Sequence, residues 1–152
     1  MTYCILHRSG VAPEAVWMNE TAFDRLALDV WQKLLPIIPP ELQEHFHKIQ
    51  IFIENHASSE QMADLDYPPD TDPLEICGLH VGVPITRESV FDPAPFPASV
   101  FLFREALLEQ ADYDGSDDSL VTLREEIAIT ILHEIGHFFG LEEDDLDRLG
   151  FG

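Results

Sequence analysis

The clearest alternation of apolar and polar positions runs from Leu123 to Phe139. Turned at about 100° per residue, Ile127, Ala128, Ile131, Leu132, Ile135, Phe138 and Phe139 gather on one arc. Glu126, Thr130, His133 and His137 share the opposite side, with Glu134 at its edge; Leu123 and Ile129 break the segregation. Thr122 followed by Glu125 reads as a capping box and Gly140 as a C-terminal stop, so this stretch predicts a helix about 26 Å long. A second helical period, through Phe23, Leu26, Ala27, Val30, Trp31 and Leu34, predicts a helix from a cap at Asn19 or Thr21 to about Leu35. Pro36, Pro39 and Pro40 end it, and 41–46 adds a further turn or two.

Strand signals are fewer. Residues 49–54 alternate and are rich in isoleucine, 76–83 carry Gly78 and Gly82 in an edge-like run closed by Pro84, and 99–104 form a third apolar run. A short helix is expected over 105–110. The acidic, proline-bearing stretch 56–73 reads as a long surface loop, 93–97 as a stiff connector and 111–119 as an acidic loop. Helices mixed with a few strands place the chain in the α+β class. No repeat or linker divides it, so residues 1–152 are expected to form one domain.

Composition narrows the function. The chain has 152 residues and 45% apolar content, enough for a substantial core. Its net charge of −21, from 29 acids against 8 bases, argues against nucleic acid and anionic membranes as partners. The N-terminus lacks the basic and apolar regions of a secretory signal, so a cytoplasmic location is expected. Cys4 and Cys77 have no C-x-x-C spacing and are expected to stay reduced there.

The chemistry lies on the C-terminal helix. His133-Glu134-Ile135-Gly136-His137 is H-E-x-x-H, extended by Gly140 to H-E-x-x-H-x-x-G. Residues four apart on a helix stand about 5–6 Å apart at Cβ, so both imidazoles can converge on one cation while Glu134 works on its water. Chance would produce the extended pattern in a chain of this composition roughly a few times in a thousand. His45 and His47 also form an H-x-H, but at helical spacing they diverge. His80, Arg87 and Tyr113 are oxyanion-donor candidates by residue type alone.

The order of elements, with "GLHVGVPITRES", "SVFLFRE" and "ILHEIGHFFGLEEDDLDRLG", resembles the small bacterial zincin-like metallopeptidases over about residues 20–150. The resemblance implies a minimal zincin fold: a small mixed sheet packed against a zinc-site helix, with additional helices. It also implies a zinc-dependent metallopeptidase acting on a peptide or protein substrate through a metal-activated water, with Glu134 as general base. His133 and His137 would bind Zn2+. A third ligand is needed beside the water position, and Glu143, three residues after Gly140, is the first choice, with Asp144 the second. Both acids also suit the start of a final helix. Twelve residues follow Gly140 and all three methionines precede the motif, so neither a distant downstream glutamate nor a Met-turn is expected. The competing readings are a metal-stabilised interaction protein without turnover and a zinc amidase.

Overall fold

The computed structural model describes residues 18–82 and 98–150. The readings at Cys4, Pro84, Arg87 and the connector 93–97 lie outside them. Asn19 accepts the Ala22 N–H at 2.9 Å and opens α1, Glu20–Leu34, whose stripe Phe23, Leu26, Ala27, Val30 and Leu34 is buried as its spacing requires. A 3-10 turn at Leu35–Ile37 and Pro39 separate it from α2, Pro40–Phe46. Trp31 stacks on Phe46 at 4.5 Å to hold the two helices together.

β1, Gln50–Glu54, follows the alternation: Ile51 and Ile53 are half-buried, while Phe52 points the other way and is 43% exposed. The stretch 56–73 is not a continuous loop. It contains α3, Ser59–Asp64, opened by a reciprocal capping box between Ser58 and Gln61, a signature overshadowed in the sequence by acids and prolines.

β2 spans only Gly78–Val81; Ile76 and Cys77 precede the ladder as buried residues. Cys77 is disulfide-bonded, which corrects the expectation of a free thiol. Spacing along the chain says nothing of which cysteines meet in three dimensions. Because disulfides persist in oxidising settings, this bond also removes the thiol argument for a cytoplasmic location.

β3, Ser99–Phe103, is the central strand of a sheet ordered β1-β3-β2, parallel to β1 and antiparallel to β2. Val100 is opposite Ile51 and His80, and Leu102 opposite Ile53 and Gly78. Paired residues share a face, so one side of the sheet carries Ile51, Ile53, Val100, Leu102, Gly78 and His80 together. α4, Arg104–Gln110, continues directly from β3.

α5, Asp117–Phe138, packs across that face and against α1. It starts earlier than the Thr122 reading. Ser116 accepts the Ser119 N–H at 3.2 Å, and Asp117 and Asp118 in the first turn complement the positive end of the helix dipole. Thr122 lies inside the helix and bonds back to the Asp118 carbonyl at 3.3 Å. Leu123, Ile127, Ile131 and Ile135 are essentially fully buried. Each such side chain contributes about 1.5–3 kcal/mol through removal from water. α6, Glu143–Leu149, then folds back on the end of α5. The architecture is mixed α+β, as the element pattern predicts. Among the described residues, no helix is long and apolar enough to cross a membrane.

Candidate metal centre

The polar side of α5 is not a solvent face. His133 is 2% exposed and Glu134 is 0% exposed, because β2 covers one flank and α6 caps the end. Two glycines allow this. A Cβ on Gly78 would stand 2.6 Å from Thr130 Cγ2 and 2.9 Å from the Phe101 carbonyl oxygen, so only glycine lets β2 lie so close to α5 and β3. A Cβ on Gly136 would stand 2.4 Å from Cδ2 of the fully buried Leu146, so α6 seats itself over the bare backbone in the middle of the motif.

The turn after α5 supplies the rest. Gly140 takes φ +88°, its N–H donates to the His137 carbonyl at 2.9 Å, and the Leu141 N–H donates to the Gly136 carbonyl at 2.9 Å. This is a Schellman motif, and it explains the glycine of H-E-x-x-H-x-x-G: a left-handed residue ends the helix and sends the chain back over it. The reversed chain brings the Leu141 carbonyl to 3.1 Å from His137 Nδ1. A carbonyl only accepts, so Nδ1 carries the proton and Nε2 presents its lone pair to the centre, the arrangement metal-binding histidines use. Burial pushes the His137 imidazole below its ordinary pKa, which favours the neutral, ligating form.

Glu143 opens α6 next to this turn. Its Oε1 lies 3.0 Å from His137 Nε2, its Oε2 lies 3.5 Å from His133 Nε2, and the two Nε2 atoms are 3.0 Å apart. Two ligands each about 2.0–2.1 Å from one tetrahedral zinc stand about 3.3 Å apart. The three separations straddle that value, and the N/N/O set is one zinc accepts, so the residues fit the ion. Glu143 stands both at the N-terminus of α6 and against the histidines, so its place in the fold is compatible with either possibility, ligand or helix-start acid. Asp144 is exposed and does not join the group. Among the described residues, His133, His137 and Glu143 are the set of three or more potential ligands whose donor atoms converge; His45 and His47 join none.

The remaining candidates separate. Tyr113 packs on the core in the α4–α5 connection, beyond the far end of α5, whose start lies about 24 Å of helix rise from His133. Glu126, although on the histidine side of α5, is engaged by Gln110. His80, an oxyanion-donor candidate by residue type alone, is tied to the motif itself: its Nδ1 lies 3.0 Å from Glu134 Oε2, and its ring stacks on His137 with centroids 5.1 Å apart. The signal for this was present in the two-residue step from Gly78 to His80, which places the imidazole on the face that glycine brings against α5.

A long helix projecting H-E-x-x-H beneath a strand of a small mixed sheet is the arrangement of the zincin class of metal-dependent hydrolases. A family model of zincin-like metallopeptidases matches residues 46–152. The match covers more than half of the chain, and the chain belongs to that family. Membership implies a metal, typically zinc. No curated protein matches the chain.

Proposed function

We propose that the chain is a zinc-dependent peptidase that hydrolyses peptide bonds with Glu134 as general base. The observation that carries this reading is the convergence of His133 Nε2, His137 Nε2 and the Glu143 carboxylate beside a fully buried Glu134. His133, His137 and Glu143 would hold the ion. Bound zinc supplies a Lewis acid that lowers the pKa of a water from 15.7 toward about 7. Glu134 would accept a proton from the attacking water on a carboxylate oxygen as the water oxygen adds to the scissile carbonyl carbon, and would return it to the amine nitrogen as the C–N bond breaks. Among the described residues β2 has a strand neighbour on one side only, and its other edge offers backbone groups to an extended peptide by strand addition.

Glu134→Gln tests the assignment. The variant keeps stoichiometric zinc and loses hydrolysis of extended peptides by about 10²–10⁴-fold. Purified protein that takes up no divalent metal, or a Glu134→Gln protein that cleaves as fast as the unaltered one, refutes the reading.

A further inference from the structure

The peptidase reading uses Glu134 and the three candidate ligands and leaves His80 without a task. The His80 side chain is 27% exposed and sits on β2, which among the described residues has a strand neighbour on one side only and which the peptidase reading pairs with an extended substrate. Two contacts tie it to the centre. The first is the 3.0 Å approach of Nδ1 to Glu134 Oε2. An ionised carboxylate only accepts, so the His80 Nδ1–H donates. The second is the stacking of its ring on His137 at an interplanar angle of 26°. His137 is thus braced at its Nδ1 by Leu141 and on its ring face by His80.

We infer that His80 is a strand-borne positioning residue for both halves of the site: its N–H aims the Glu134 carboxylate, and its ring holds the His137 imidazole in its ligating orientation. Glu134 has no exposed surface, and a carboxylate out of water depends on hydrogen bonds to stay ionised and oriented. His80 supplies one from a strand rather than from α5, so the base is set by the same element that presents the substrate. An extended peptide pairing along β2 therefore meets a base whose direction is tied to that strand's position. Gly78, two residues earlier, sets the spacing between β2 and α5 and so the length of the His80–Glu134 bond.

This inference rests on the peptidase reading for its turnover half, and the two contacts can be separated by substitution. His80→Phe keeps a flat ring against His137 and removes the donor. It lowers kcat about 10- to 100-fold, the usual effect of losing an outer partner of a metal site, with KM and zinc affinity near those of the unaltered protein. His80→Asn keeps a donor near the Nδ1 position and removes the ring. It retains more turnover than His80→Phe and weakens zinc about 2- to 10-fold, the range of a lost aromatic pair. In a Glu134→Gln background His80→Phe causes no further loss of turnover, because it acts through that carboxylate.

Zinc affinity is read by competition with a chromophoric chelator, and turnover with fluorogenic peptides. An unchanged kcat in His80→Phe overturns the aiming of Glu134, and an unchanged zinc affinity in His80→Asn overturns the brace on His137. If the unaltered protein binds zinc but cleaves nothing, the peptidase reading fails. The zinc affinity of His80→Asn still decides the brace.

Discussion

Gly78→Ala is the sharpest test of how the centre is built, because one methyl group challenges both the sheet and the site. Its Cβ would lie 2.6 Å from Thr130 Cγ2 and 2.9 Å from the Phe101 carbonyl oxygen, against ordinary carbon contacts of about 3.5–4.0 Å. Thr130 is 2% exposed and branched at Cβ, and the Phe101 oxygen belongs to the central strand, so neither yields easily. β2 must move away by several tenths of an ångström or more. Overpacking of this kind costs about 1–3 kcal/mol, and for a domain of this size each 1 kcal/mol lowers Tm by about 2–4 °C. The same displacement stretches the 3.0 Å His80–Glu134 bond, while His133, His137 and Glu143 lie on α5 and α6 and keep their spacing. Calorimetry should show a Tm about 2–12 °C lower, peptide hydrolysis should fall, and zinc stoichiometry should stay at its original value. Adding Thr130→Ser removes the atom at 2.6 Å and leaves the carbonyl contact, so the double variant should recover part of the loss, with a coupling of about 1 kcal/mol. A Gly78→Ala protein as stable and as active as the original, or two substitutions whose effects simply add, refutes the close-approach argument.

Leu146→Ala should cost about 2–5 kcal/mol in chemical denaturation, since Leu146 is fully buried over Gly136; it should also weaken zinc, because α6 carries Glu143. Glu143→Gln should raise the zinc dissociation constant at least tenfold in chelator competition, whereas Asp144→Asn should leave it unchanged; equal effects of the two would move the third ligand away from Glu143. Bonds from Ser116 and Ser119 hold Asp114 at a pKa of about 2, below the ordinary aspartate range. A carboxyl depressed in the folded state stabilises fully above its unfolded pKa and loses that contribution as pH falls through the folded one. The stability difference between the unaltered protein and Asp114→Asn should therefore close between about pH 4 and pH 2; a difference independent of pH across that window would contradict the loop geometry.

The sequence alone carried the parts whose signal is periodic or local. The stripe of α1 and its Asn19 cap, the β1 alternation and the end of α5 at Gly140 each depend on residues a few positions apart. The pair His133 and His137 is of the same kind, since helical spacing by itself puts them on one side. The start of α5 was misread because two serine or threonine cap signals stand six residues apart, and only the acids at 117 and 118 favour the earlier one.

What tertiary structure decided is where that polar helix side goes and what meets it. The step from His80 to Glu134 spans 54 positions, and no local pattern encodes the approach of an edge strand to a helix beyond a glycine that makes room for it. Glu143 lies between the two cases: its place after the glycine is readable in the sequence, but its distance to the histidines follows from a left-handed turn and from Leu146 seating over Gly136. Covalent neighbours and helical repeat set which side chains share a face; only packing sets which faces touch, because burial of apolar surface is indifferent to separation along the chain.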